Sequence, residues 1–278
     1  MKKAKIIALG PKGSYGHEVA KIVQRWFGYG EICFAPTNVS ILQMAESENA
    51  IAVIPVENST FGDVVDVLGY LAKQSVDYSL SVIGQVELPV HHCLMGFYPI
   101  NELEVIYSHP QAIGQCGESI KRWGVKVESL PTSTSAAAKF VAEHPEKKVG
   151  AIGSGFAADE YVLPILERNV QTLKDNETRF LVFGPKQRVT PTGNDKSVII
   201  FQIRNMPGSL LLSLLPFGLL GINMTAIHSV SQGKWCYRFY AEVNGHAEDL
   251  RMKMALKVMC LFLEDLLVLG SFPKNFGS

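Results

Sequence analysis

Residues 4–28 read AKIIALGPKGSYGHEVAKIVQRWFG, and the two halves of this stretch carry different patterns. Residues 6–9 form a short apolar run of the kind a buried strand needs, and Gly10-Pro11 ends it. From His17 the apolar residues recur three and four apart, as on one face of a helix. The same hand-over recurs along the chain. AIAVIPVEN (50–58) precedes DVVDVLGYLAKQ (63–74), EVIYS (104–108) precedes QAIGQCGESIKRWG (111–124), and KVESL (126–130) precedes SAAAKFVAEH (135–144). KVGAIGS (148–154) is followed by a further helical pattern. Repeated strand-then-helix units predict an open α/β fold with largely parallel strands. Residues 79–96, SLSVIGQVELPVHHCLMG, are strand-like with no helix and are expected to cross between two lobes.

The tail follows another plan. Residues 197–203 and 222–231 read as strands around a helix at 207–221; a strand at 236–244, a helical run at 249–266 and a last strand at 267–272 complete it. That is a βαββαβ order, the ferredoxin-like plan. Between the regions lies GPKQRVTPTGNDK (184–196), rich in Pro, Gly and charge, which reads as the boundary.

Composition narrows the function classes. The 278 residues include 26 basic and 26 acidic side chains, so the formal net charge is zero and no global basic field favours nucleic acid. The content of 47% hydrophobic and 19% charged residues predicts a sizeable core rather than disorder. Five scattered cysteines show neither metal-ligand spacing nor a disulfide framework, which predicts a reducing, cytoplasmic setting and no metal. Lys5 interrupts the N-terminal apolar run, so it reads as a strand and not a leader. The longest apolar stretch, 210–222, is broken by Ser213, Pro216 and two glycines, and no membrane span is expected.

The turns that end the strands are the most informative feature. They are Gly10–Gly16, Glu57–Thr60, Ser108–Gln111, Thr132–Ser135 and Gly153–Gly155, each rich in hydroxyl, amide or glycine residues. Ser108 before Pro110 and Gln111 reads as a helix N-cap. Helix N-termini offer unpaired N–H groups and a positive dipole end, and in open α/β sheets ligands sit at the carboxyl ends of strands. Converging turns of this kind point to a small, carboxylate-rich metabolite. The adjacent His91 and His92 lack metal spacing and read as structural.

Five ordered elements, Gly10-Pro-Lys-Gly-Ser-Tyr15, Ile54-Pro-Val-Glu-Asn-Ser-Thr-Phe-Gly62, Ser108-His-Pro-Gln-Ala-Ile-Gly-Gln-Cys116, Thr132-Ser-Thr-Ser-Ala-Ala137 and Asn176-Glu-Thr-Arg-Phe180, run through the chain. In these it resembles the prephenate dehydratases over nearly its whole length, and its tail resembles an ACT regulatory domain. The resemblance implies a catalytic region at 1–185 of two periplasmic-binding-protein-like lobes (about 1–80 with 165–185, and 81–164). A linker at 186–196 and an ACT domain at 197–278 would follow. It also implies decarboxylation and dehydration of prephenate to phenylpyruvate without metal or organic cofactor, by a homo-oligomer (dimer or tetramer) joined through ACT domains.

The resemblance nominates Thr178 as hydrogen-bond donor to the departing hydroxyl, with Glu57 and His109 as titratable residues able to feed it. It implies substrate contacts from Ser14, Asn58, Ser59, Ser108, Gln111, Thr132, Ser133, Thr134, Asn176, Arg179 and Phe180. A cation tight against the ring carboxylate would oppose decarboxylation, so Arg179 is expected on the pyruvyl carboxylate or in a structural role. There are departures. Ser14, Tyr15 and Gly16 stand where the family usually has Thr, Phe and a hydroxyl residue. The amino-acid effector positions fall on Gly208, Ser209, Leu210, His228 and Ser229, and the family's Glu-Ser-Arg-Pro element keeps only its serine. Weak or absent feedback by phenylalanine is therefore expected. Arogenate as substrate, a non-aromatising decarboxylase and a non-catalytic carboxylate sensor remain alternatives.

Overall fold

In a computed structural model, residues 5–274 are described, apart from 29, 131, 132, 188 and 235. In chain order the elements begin with β1 (Lys5–Leu9), α1 (Tyr15–Phe27), β2 (Glu31–Ala35), α2 (Asn38–Glu48), β3 (Ile51–Asn58), β4 (Gly62–Asp63), α3 (Val65–Leu71) and β5 (Leu80–Pro89). There follow β6 (His92–Gly96), β7 (Val105–Ser108), α4 (Pro110–Gln115), α5 (Gly117–Trp123), β8 (Lys126–Ser129), α6 (Thr134–Glu143), β9 (Val149–Ser154), α7 (Gly155–Tyr161) and β10 (Ile165–Arg168). The last are β11 (Glu177–Pro185), β12 (Asp195–Ile203), α8 (Ser209–Leu219), β13 (Met224–Ser231), β14 (Tyr237–Asn244), α9 (Leu250–Met259) and β15 (Leu263–Pro273).

The chain divides into two compact units built from non-contiguous stretches, 1–37 with 57–62 and 87–178, and 38–56 with 63–86 and 179–278. In the first unit β1 and β2 are parallel, and a five-stranded sheet has the order β10-β6-β9-β7-β8. Its core alternates across the sheet. Ala151 of β9 packs with Ala137, Val141 and Ala157 of α6 and α7, while the next residue, Ile152, packs with Leu94, Ile106 and Cys116. Strands β7, β8 and β9 are parallel, but β6 runs antiparallel to β9, and β10 to β6. The sheet is therefore mixed and not largely parallel. The reason is local: β6 leads to β7 through one 3₁₀ turn and no helix, and only a crossover returns a chain in the same direction.

In the second unit β3, β11 and β5 lie side by side in that order, and a separate four-stranded sheet has the order β13-β14-β12-β15. All three of its pairings are antiparallel. Alternation decides what each face meets. Ile199, Phe201, Ala241 and Val243 face α8 and α9, burying Phe217, Met252 and Met259. Their neighbours Val198, Ile200, Tyr240 and Glu242 occupy the opposite face and are also buried. On β15, Gly270 comes so close to β5 that a Cβ there would lie 2.3 Å from the Val82 carbonyl oxygen. The helical run expected over 249–266 stops at Met259, with one 3₁₀ turn after it. Pairing with β12 from Ile203 opposite Leu263 claims the rest of that run for β15.

Candidate active site

Four of the five hydroxyl- and glycine-rich turns open helices in the first unit. Ser14 caps α1 and Ser154 caps α7, their Oγ atoms accepting from the His17 and Ala157 N–H groups. Ser133 caps α6 in the same way through the Ala136 N–H, with Thr134 as the first helical residue. Thr132 lies outside the described residues. At α4 the cap is His109 and not Ser108: its Nδ1 accepts from the Gln111 N–H at 3.3 Å. Ser108 is fully buried and donates to the Ile152 carbonyl at 2.7 Å, so its hydroxyl ties β7 to β9. Gln111 is exposed on the first turn of α4. The fifth turn, Glu57–Thr60, runs into β4 and not into a helix.

Three of these N-termini meet. A Cβ on Gly13 would lie 2.8 Å from Ser135 Oγ and from the Tyr161 ring, and 3.6 Å from Ala157 Cα. Its φ of +79° also favours glycine. Ser135 Oγ and Tyr161 OH both donate to the Lys12 carbonyl. His17 completes the turn by accepting from the Gly13 N–H at 3.0 Å, with its ring edge-on to Phe34 and Phe156. Burial lowers the His17 pKa and keeps the ring neutral, as an acceptor at Nδ1 requires. The result is a setting of helix ends, flanked by the Lys12–Glu160 ion pair at 2.5 Å, of a kind suited to a carboxylate.

The second cluster centres on Asn58 at the end of β3. Its Nδ2 donates to Asn176 Oδ1 at 2.8 Å, to Thr178 Oγ1 at 2.9 Å and to the Glu177 carbonyl at 3.1 Å. Two hydrogens serve three acceptors, so one is shared. Its Oδ1 accepts from the Thr60 and Phe61 N–H groups and so shapes the turn. Ser59 exchanges backbone and side-chain bonds with Glu177, and Thr60 Oγ1 reaches Asn176 at 3.2 Å. Thr178 is half-buried and accepts from Asn58, which leaves its own proton for another acceptor. Glu57, half-buried, adjoins this network at the strand end.

One short segment touches both clusters. The Val90 N–H donates to the Asn176 carbonyl, and Tyr15 OH reaches the His91 carbonyl at 3.1 Å. Tyr15, where the family usually has Phe, also meets His92 Nδ1 at 3.0 Å, and His92 Nε2 donates to Gln115 Oε1 at 2.6 Å. Burial lowers the His92 pKa and leaves it a neutral link in a structural chain. Cys116 is also inert: burial pushes its thiol up to about 12.

Phe180 is buried in the second unit. Of the two roles open to Arg179, the observed contact is the structural one. Its Nη1 lies 2.7 Å from Glu242 Oε1, and the side chain is only 14% exposed. Among the effector positions, Gly208 caps α8 with φ +82° and Ser209 and Leu210 begin that helix, with Ser209 buried. His228 is engaged by Asp63 at 2.8 Å, and Ser229 is exposed. Reading from the sequence missed His17, Tyr161 and Glu242. The four-residue spacing of Gly13 and His17 across a cap was a usable signal for the first; the others arrive from distant parts of the chain. Among the described residues no group of three or more His, Cys, Asp or Glu side chains could hold a metal ion, and no helix is long and apolar enough to cross a membrane.

Residues 6–188 match the family model described as prephenate dehydratase. The chain is 34% identical over 279 residues to the bifunctional chorismate mutase/prephenate dehydratase of Aquifex aeolicus, covering 98% of this chain and 74% of the relative. It is 33% identical to the prephenate dehydratase of Methanocaldococcus jannaschii, over 98% and 99% of the two chains. Among solved structures, GqqA, described as a novel type of quorum quenching acylase, superposes with a TM-score of 0.85 at 27% identity, covering 98% of each chain. The prephenate dehydratase of Arthrobacter aurescens in complex with L-Phe has a TM-score of 0.85 at 23% identity over 99% and 91% of the chains, a likeness of fold. Sequence motifs, the matched span and full-length relatives agree, and the chain belongs to the prephenate dehydratase family.

Proposed function

We propose that the Asn58–Thr178 pair is the reacting part of the site and that it converts prephenate to phenylpyruvate. The carboxyl group on the ring leaves as carbon dioxide. The electron pair of that carbon–carbon bond moves through the diene and expels hydroxide from the opposite carbon, giving an aromatic ring. The departing oxygen needs a proton or a strong hydrogen bond. The observation that carries the assignment is the 2.9 Å bond in which Thr178 Oγ1 accepts from Asn58, because it orients the threonine proton outward as a donor. Threonine is too weak an acid to act alone, and Glu57 and His109 are the titratable residues from which a relayed proton can come. The departing carboxylate is set among neutral donors, so its charge is not held back; Ser14, Ser133 and Thr134 at the helix ends are assigned to the substrate carboxylates.

The division of labour along the chain follows the same reading: two catalytic lobes within residues 1–185, a linker at 186–196 and an ACT domain at 197–278. The antiparallel order β13-β14-β12-β15 under α8 and α9 supports the ACT assignment. Assembly of copies through this domain is supported by Leu211, Leu215 and Leu219, at 69%, 46% and 75% exposure along α8. The free cysteines suit a cytoplasmic enzyme. Incubating purified protein with prephenate and following phenylpyruvate absorbance tests the activity. Turnover of arogenate in preference to prephenate would change the substrate, and binding of prephenate without turnover would leave a sensor.

A further inference from the structure

β14 places Glu242 on the face of the C-terminal sheet opposite α8 and α9, fully buried. A carboxylate there is costly unless paired. Arg179 Nη1 and Tyr240 OH both lie 2.7 Å from its Oε1, and Lys196 Nζ lies 3.0 Å from Oε2. Burial pushes the Glu242 carboxyl up, but the Arg179 and Lys196 charges outweigh it and hold the group below its ordinary value. Arg179 directly follows Thr178 in β11, and side chains alternate along a strand. Gripping Arg179 on one face therefore fixes the rotation of the backbone that presents Thr178 on the other. β13 makes a similar contact. His228 Nδ1 lies 2.8 Å from Asp63, the residue after the Asn58–Gly62 turn, and its ring stands 6.0 Å from that of Tyr240. The two segments that make the Asn58–Thr178 bond are each held, just beyond that bond, by a side chain of one sheet.

We propose that Glu242 is a positioning residue for the reaction, setting Thr178 through Arg179, and that His228 does the same for the Asn58 turn through Asp63. This rests on the reading of Thr178 as the donor. A buried ion pair of this kind contributes little net stability over an apolar replacement, so its value lies in geometry, where an error of about 1 Å can cost on the order of 10²-fold in rate.

The test is steady-state kinetics with prephenate on full-length, folded variants, together with hydrogen exchange of the backbone amides at 177–180. Glu242→Gln keeps the shape and removes the charge. It should lower kcat by about 10- to 100-fold with KM changed less than about threefold, and should speed exchange at those amides. Arg179→Met should cost a similar factor, and the double variant should be no worse than the poorer single one, because both act through one link. Lys196→Met leaves Arg179 paired and should cost less. His228→Ala should speed exchange at 58–62 and lower kcat by a smaller factor. Wild-type kcat and exchange in folded Glu242→Gln, or losses that multiply in the double variant, would overturn the proposal. If Glu242→Gln does not fold, Glu242→Asp keeps the charge with a shorter reach; it should lose kcat severalfold, and a wild-type kcat would overturn the proposal equally. Wild-type protein inactive on prephenate would instead defeat the underlying reading, and the exchange data would then decide the positioning role alone.

Discussion

Asn58 and Glu242 each organise a network along the same strand, and the two networks use opposite chemistry. Around Asn58 the side chain bonds an amide, a hydroxyl and backbone groups, in a partly exposed setting. Around Glu242 one buried carboxylate gathers a guanidinium, an ammonium and a phenol. Thr178 belongs to the first and its neighbour Arg179 to the second. The difference separates two demands. On the proposed reading, a site that sheds carbon dioxide works against itself if a strong cation grips the departing carboxylate, and the observed partner of the Arg179 guanidinium is Glu242.

The sharpest way to break this contrast is to remove the donor. Thr178→Ala should lower kcat by on the order of 10²–10³ with the melting temperature little changed, while Thr178→Ser should keep much of the activity. Near wild-type kcat in the folded alanine variant would remove Thr178 from the chemistry. Asn58→Asp brings charge into the neutral network and deletes the donor to Thr178. It should cost about 10²-fold in kcat, measured in the same assay, whereas a mere packing role predicts a change in stability alone.

The framework behind both networks can be strained at one atom. Gly270→Ala puts a methyl 2.3 Å from the Val82 carbonyl oxygen and 2.6 Å from its nitrogen. Backbone cannot yield as a side-chain tip can, so about 1–3 kcal/mol or more should be lost in denaturant unfolding. Unchanged stability would mean that β15 does not approach β5 so closely.

Acid should separate the two kinds of polar group by pH. His17 and His92 have pKa values lowered from 6.5 by burial, so the stability of their neutral forms is complete above that value. It is lost as pH falls through their folded values. Glu242, held below its ordinary 4.5, contributes stability above 4.5 that is lost further into acid; Glu18, raised by burial, acts earlier, regaining some stability as it protonates above 4.5. Unfolding free energy measured from pH 7.5 down to about 2.5 should decline in two stages, one below 6.5 and one below 4.5, and His17→Gln should shrink the first. A flat profile across pH 6.5 would show that neither imidazole is held neutral. The smallest effect concerns the tail. With His228 engaged by Asp63, phenylalanine titrated into an activity assay and a calorimeter should give little inhibition; submillimolar inhibition with matching heat would show a working effector pocket.

Local pattern carried much of this protein. Strand-to-helix hand-overs, the βαββαβ tail and the hydroxyl-rich turns that open helices were legible because periodicity and turn chemistry act within a few residues. Motif order carried the family and nominated Thr178 and Asn58. Where reading from the chain failed, a distant partner decided. Ser108 looked like a cap, but the Ile152 carbonyl takes its hydroxyl and His109 caps instead. The run 249–266 looked helical throughout, but pairing with β12 draws its end into a strand. Arg179 was expected on the substrate or in a structural role, and the contact the fold supplies, a buried countercharge from Glu242 63 positions later, could not be read from the chain. Sequence by itself determined most elements and their order and nominated the candidate reacting residues, since these depend on short-range geometry and motif. Only the tertiary structure decided which charges are neutralised and which hydroxyls stay free to donate, because burial and pairing belong to the folded chain and not to any stretch of it.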